Sequence, residues 1–280
     1  MSWQYSITLS SFKDIEPLNL TFKKLSSIHF EAVELYGEPD MIDERKFKDL
    51  IRSYGISVSG VTGMWGRANM RSINRRLITC DGSVLSKTED YVKKCIRLCE
   101  KMDGKTFNIC LFSDDSLIGI DRNHEWLLDK KKKKLASSVI TTLRQLAWYA
   151  RDHNVELLIE PLNRYSTPAC CTAYDATKII ETIADANVGL MLDTFHMNIE
   201  EDSLEETIAN SRDLRHIHIS DNNRKMPGFG HIDFCGIIKS LKKIRFNRFL
   251  TFEPFIPDVR YQRDIIRGIA AIKSLTNKSK

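Results

Sequence analysis

Four short apolar runs in the second half of the chain each close on a residue that can bind a metal. They are VELLIEPLNRY with Glu160, GLMLDTFHMNIEE with Asp193, RHIHISDNNR with His218, and FLTFEPF with Glu253. Successive members of this set stand 33, 25 and 35 positions apart, which leaves room for one strand, one helix and two loops per step. Parallel strands joined by crossover helices repeat at about this length. The spacing therefore predicts two Glu, one Asp and one His gathered at one end of a parallel sheet and facing a common point.

The whole chain keeps that rhythm. Runs at 3–9, 30–36, 56–61 and 106–112 read as four earlier strands, and 155–160, 189–193, 214–219 and 249–253 as four later ones. Helical spacing falls between them: Leu18, Phe22, Leu25; then Phe47, Leu50, Ile51, Tyr54 closed by Gly55; then Val92, Cys95, Cys99, Met102; then Leu135, Val139, Leu143, Leu146, Ala150. Further helices are expected at about 173–185, 203–210, 233–244 and 259–275. Eight strands alternating with eight helices imply a parallel sheet, and eight units favour closure. The expectation is an α/β protein, a (β/α)8 TIM barrel in a single domain spanning 1–280, a length that suits such a barrel. No glycine-rich dinucleotide fingerprint follows the first strand, which counts against an open Rossmann sheet.

Composition removes other classes. No apolar run approaches the ~18 residues of a membrane span, and the opening MSWQYSITLSSFKD lacks the apolar core of a secretory leader. A cytoplasmic protein with no membrane partner is expected. Seven scattered cysteines suit a reducing compartment better than a disulfide framework. Cys95 and Cys99 read as core packing, whereas Cys170 and Cys171 follow a ligand strand and could line the site. The net charge of +5 is mild but concentrated, in Lys130–Lys134 and around Arg67, Arg71, Arg75 and Arg76. These runs read as solvated faces, with an anionic partner as the other reading. The long connection Gly63–Leu85 leaves the carboxyl end of a strand, so it reads as a lid or partner contact beside a solvated excursion.

Three carboxylates and one imidazole make a mostly oxygen site for one divalent metal ion, Mn²⁺, Co²⁺ or Mg²⁺, with Zn²⁺ also accommodated. His216 shares the face of His218 one layer deeper and reads as a hydrogen-bonded histidine behind it. Glu34, alternating with Ala32 and Tyr36, points into the barrel mouth or core. A buried carboxylate needs a partner there: ligand, cation or bound water. His196 and Arg224 lie in loops above the ligands and suit the oxygens of a small polyol. Asn163 and Arg164 can act similarly, a salt bridge being the alternative for Arg164. The segment PGFGHIDF opens the seventh helix, and its backbone N–H groups could cradle an anion.

Together IEPLNRY, LDTFHMNIEE, HIHISDNNR with PGFGHIDF, and FEPF resemble the sugar isomerase/epimerase family with the xylose isomerase-like barrel. The resemblance is strongest to its D-tagatose 3-epimerase/D-psicose 3-epimerase branch. These motifs cover about the last half of the chain; the first half is similar only in strand–helix rhythm. The resemblance implies that Glu160, Asp193, His218 and Glu253 bind one divalent metal, Mn²⁺ first. It also implies that Glu160 and Glu253 act as acid and base, and that His196 and Arg224 hold the sugar's oxygens. Ser166 occupies a substrate-binding position where relatives often carry a Glu, so the sugar accepted here differs in at least one contact.

The implied reaction is proton transfer through an enediolate beside a ketose carbonyl, with 3-epimerisation foremost and a free sugar preferred. Aldose–ketose or inosose-type isomerisation, including on a phosphorylated sugar, is the alternative. The expected partner is a small-molecule sugar, without nucleic acid; a dimer or tetramer of identical chains fits the family. An abasic-site endonuclease of the same superfamily needs further histidines from early strands, and Val61–Gly63 and Cys110–Phe112 contain none. A metal-binding interaction module without catalysis is the remaining competitor.

Overall fold

Runs of Val, Ile and Leu buried on both faces become the staves of a parallel barrel. In the computed structural model, which describes residues 3–12, 15–66, 74–114, 124–130, 133–258 and 261–277, these are β1 (Tyr5–Thr8), β2 (Ala32–Gly37), β3 (Ser57–Gly63) and β4 (Thr106–Ile109), followed by β5 (Glu156–Ile159), β6 (Val188–Asp193), β7 (Leu214–Ile219) and β8 (Leu250–Phe252). Every neighbouring pair is parallel and β8 returns to β1, closing the barrel in sequence order. Every residue of β1, β4, β6 and β8 is buried, as a parallel sheet covered on both faces requires.

Alternation sorts the side chains. Leu157, Ile159, Leu190, Leu192, Ile217 and Ile219 join the apolar core that also contains Val139, Leu143, Leu146, Ile179 and Ile237 of the surrounding helices. Leu158, Met191, His216 and Thr251 are equally buried but lie outside that core, on the opposite strand faces. The barrel's interior is partly polar: Ser6 and Ser59 share a hydrogen bond of 2.8 Å.

The helices are α1 (Leu18–Ser27), α2 (Glu44–Tyr54), α3 (Gly82–Lys101), α4 (Lys133–Asp152), α5 (Ala173–Ile183), α6 (Thr194–Glu200), α7 (Leu204–Asn210), α8 (Phe234–Lys243) and α9 (Gln262–Asn277). Their ends follow local chemistry. Asp43 caps α2 through the Lys46 N–H and Gly55 ends it at φ 62°; Thr172 and Asp175 form a capping box on α5. Eight helices were expected, and the described residues contain nine. The extra one, α6, starts directly where β6 ends because the Asp193 side chain accepts from the Phe195 N–H. That cap converts the strand's last residue into a helix start without a loop.

The fourth strand ends at Ile109 rather than Phe112, because beyond it the chain turns to pair with Ile78 through Ser113. In the connection after β3, Trp65 is buried edge-on against Tyr91. Arg75 pairs with Glu38 at 2.7 Å and stacks on Tyr91, and Arg76 pairs with Asp114 at 2.7 Å. These two arginines therefore anchor the connection instead of offering free charge to an anion. Arg67, Arg71, Lys131 and Lys132 lie outside the described residues. Among the described residues no helix is long and apolar enough to cross a membrane.

Candidate metal centre and substrate pocket

Each expected ligand stands at a carboxyl-terminal strand end. Asp193 is the last residue of β6 and His218 the next to last of β7. Glu160 and Glu253 follow β5 and β8 by one residue, yet their N–H groups still donate along the ladder, to Ile109 O (3.0 Å) and Ile219 O (3.1 Å). The sheet therefore fixes both glutamate backbones. Asp193, His218 and Glu253 bring ligand atoms within 4.8 Å of one another, and so do Glu160, Asp193 and His196. Asp193 belongs to both groups. One Asp193 oxygen caps α6 while the other, Oδ2, faces the Arg224 guanidinium, which also donates to Glu253 Oε2. A cation thus already bridges two of the carboxylates. Three carboxylates and an imidazole fit a hard or borderline divalent metal, so the cluster is a plausible buried metal site.

The two glutamates differ electrostatically. Burial pushes Glu160 up to about 7, opposed by His218 and reinforced by the charges of Glu253 and Asp193. Burial acts the same way on Glu253, but Arg224 and His218 outweigh it and hold that carboxyl down at about 2. Two carboxyls with separated proton affinities are the usual basis for distinct acid and base roles.

Asn108 and Cys110 support Glu160, and sequence reasoning missed both. The Asn108 amide donates to Glu160 Oε2 at 2.5 Å while its carbonyl accepts from the Gly63 N–H, and the Cys110 thiol lies 3.3 Å from the same carboxylate oxygen. The available signal was a lone Asn inside the apolar run TFNICLF. By contrast Cys170, fully buried, packs in the apolar core, and Cys171 turns its thiol to the Thr167 carbonyl. Cys110 lies directly against Glu160.

Glu34 is 1% exposed and lies between imidazoles: its Oε2 is 2.7 Å from His218 Nε2 and 3.2 Å from His216 Nε2. Burial disfavours its charge, but the two histidines prevail and keep it well below the usual carboxylate range. Its partners are therefore side chains behind the ligand set.

His196 is the third residue of α6. Asn163 donates to its Nδ1 from both backbone N–H (3.1 Å) and side-chain amide (2.7 Å), which leaves Nε2 as the N–H pointing toward Asp193 at 3.8 Å. Burial, helped by Arg224 and opposed by Asp193, lowers the His196 pKa, so the ring is a neutral donor. Asn163 is 5% exposed, and its carbonyl accepts from the N–H groups of Tyr165 and Ser166. It stands behind His196 in the loop that carries Ser166. Ser166 itself is exposed, its hydroxyl 3.5 Å from Asn163 Oδ1. Arg164 makes a bidentate bridge to Glu200 on α6, the salt-bridge alternative expected for it.

The glycine-rich turn is not an anion cradle. Asp221, fully buried, accepts from the N–H groups of Gly228, Gly230 and Ile232 as well as Asn222. His231 N–H goes to Asn222 Oδ1 and Phe229 N–H to the Met226 carbonyl. Every backbone N–H from Gly228 to Ile232 is consumed inside the turn. Asp221 was not singled out from sequence, although an acid directly after HIHIS and before PGFG is its signal.

A closed parallel barrel whose carboxyl-terminal end gathers three carboxylates and a histidine is a (β/α)8 barrel with a plausible buried metal site at the end where such barrels carry their active sites. Residues 22–275 match the model for the xylose isomerase-like TIM barrel, and the chain belongs to that family. It is 26% identical over 261 residues to a D-psicose 3-epimerase of Ruminiclostridium cellulolyticum, covering 88% of this chain and 83% of that enzyme. Over a shorter stretch of 122 residues it is 36% identical to a 3-dehydro-D-guloside 4-epimerase of Escherichia coli, covering 43% and 45% of the two chains. The solved D-psicose 3-epimerase with D-tagatose from Clostridium cellulolyticum shares the fold, with TM-score 0.82, 22% identity and coverage of 98% and 99%.

Proposed function

We propose that this chain is a divalent-metal-dependent epimerase of free ketoses or closely related keto sugars, inverting a carbon beside the carbonyl. The observation that carries the reading is the pair Glu160 and Glu253, on strands that flank Asp193 and His218 and at the same end of the closed barrel. When bound by Glu160, Asp193, His218 and Glu253, a divalent ion, Mn²⁺ foremost, would polarise the substrate's carbonyl and neighbouring hydroxyl oxygens.

The protein's own groups do the rest. One glutamate takes the proton from carbon and the other returns a proton to the opposite face. His196, with Nδ1 occupied by Asn163, offers Nε2–H to a sugar oxygen, and Arg224, which donates to Asp193 and Glu253 beside it, would turn a donor toward the sugar once those carboxylates hold a metal. Names of the matched relatives cover ketose 3-epimerases and a 3-dehydroglycoside 4-epimerase; both reactions invert a carbon next to a ketone, and 3-epimerisation is the preferred assignment.

The turn after β7 favours an unphosphorylated substrate, because Asp221 and its neighbours use the N–H groups that would bind a phosphate. A panel of free ketoses, 3-dehydroglycosides and the corresponding phosphates, assayed with Mn²⁺ in D₂O, tests this. Epimerisation of an unphosphorylated substrate with solvent deuterium at the inverted carbon is expected. Turnover confined to phosphorylated sugars, or aldose–ketose interconversion alone, would overturn it.

A further inference from the structure

Glu34 lies on β2, in the half of the chain without ligand motifs, and reaches across the barrel's interior to β7. Contact with β7 is not part of the hydrogen-bonded ladder, because β1 and β8 intervene in the closed order. Glu34, His216 and His218 are 1%, 2% and 0% exposed, so water does not substitute for any of their mutual contacts. Both Nε2 atoms address the same oxygen, Oε2, at 3.2 and 2.7 Å. An ionised carboxylate only accepts, so each nitrogen facing it carries a hydrogen. The other ring nitrogen of His218, Nδ1, faces Glu253 at 3.0 Å, toward the ligand group, and the hydrogen shared there is the one that metal binding would displace.

We propose that Glu34 and His216 are positioning residues for the metal centre. Glu34 holds Nε2–H of His218 and so commits Nδ1 to the metal, while His216 pins the carboxylate that does this. The inference rests on the metal reading above and adds residues and a nitrogen that it does not specify. The physical basis is general: a metal-bound histidine whose second nitrogen donates to a carboxylate is fixed in ring orientation and tautomer and is a better ligand. Here one carboxylate oxygen is itself held by a second, equally buried imidazole, which removes the freedom of Glu34 to rotate away.

The first measurement uses wild-type protein labelled with ¹⁵N-histidine and loaded with Zn²⁺ as a diamagnetic probe. Long-range ¹H–¹⁵N correlation should find His218 protonated at Nε2 and metal-shifted at Nδ1. The second is Zn²⁺ and Mn²⁺ affinity, by chelator competition, of Glu34→Gln against wild type. The variant keeps side-chain volume and should bind each metal roughly 10–100-fold more weakly, and thermal unfolding of both metal-free proteins checks that it is folded. A reversed tautomer, or a folded Glu34→Gln with affinity within about twofold of wild type, overturns the proposal and leaves the epimerase reading intact. Wild-type protein that takes up neither metal overturns both. Should Glu34→Gln fail to fold, the wild-type spectrum decides.

Discussion

Glutamine at position 160 or 253 keeps an oxygen that can face a metal but cannot accept a proton, so it separates two roles that alanine would remove together. Glu160→Gln and Glu253→Gln should each lower turnover by roughly 10²–10⁴-fold or more in both directions while retaining part of the metal, read by steady-state rates beside metal content. A Glu253→Gln protein that epimerises at near-normal rate would leave a one-base isomerase as the better account. Asn163 tests a subtler point. Its two donors occupy His196 Nδ1, so Asn163→Leu loses the side-chain donor and loosens the ring's tautomer. An expected loss of about 1 kcal/mol, roughly fivefold in kcat/KM, should leave metal affinity unchanged. The four candidate ligands were legible because each is a polar side chain at or next to the end of an apolar run. Asn108, Cys110 and Asn163 were less so, since their importance lies in what they touch: Glu160 and His196 are 52 and 33 residues away from Asn108 and Asn163.

At the scale of elements, the connection from β7 to α8 is held by one carboxylate. Asp221→Ala would strand the N–H groups of Gly228, Gly230 and Ile232 together with that of Asn222. A cost on the order of 3 kcal/mol is expected, measured as a drop in the denaturant midpoint of the metal-free protein. Gly230→Ala should be comparably harmful: an added Cβ would stand 2.0 Å from Asn222 Oδ1 and 2.3 Å from Asp221 Oδ1. Wild-type stability in both substitutions would sink this view of the turn. Sequence periodicity located the helix that follows, but the same glycines that suggested an anion site serve instead to let backbone approach Asp221. Helix α6 shows the same limit. Asp193 reads as a ligand from its strand, and only its geometry reveals that one oxygen begins a helix while the other faces the site.

For the whole molecule, the metal reading carries a stability consequence. A ligand that binds only the folded barrel at a concentration 100 times its Kd stabilises it by about 2.7 kcal/mol. Treatment with a chelator should therefore lower the melting temperature as well as abolish turnover, and Mn²⁺ or Co²⁺ should restore both. Full activity after verified removal of metal would contradict the assignment. Closure of the barrel is what makes four distant segments one site: the register His218 opposite Asp193 and Thr251 brings adjacent strand ends level.

The sequence by itself determined the barrel, through strand and helix periods repeated eight times, and picked out the candidate ligand set, through polar residues at or next to the ends of apolar runs. Both are local patterns, readable because backbone geometry ties side-chain direction to residue spacing. Strand alternation already set His216 behind His218; which other groups stand behind that set was decided by tertiary structure alone. Glu34 meets His216 and His218 across 182 and 184 residues of chain, and Asp221 claims the glycine-rich turn that otherwise reads as a phosphate site. A buried polar group must find a partner, but which partner it finds depends on the closed barrel's interior, and no local period records that.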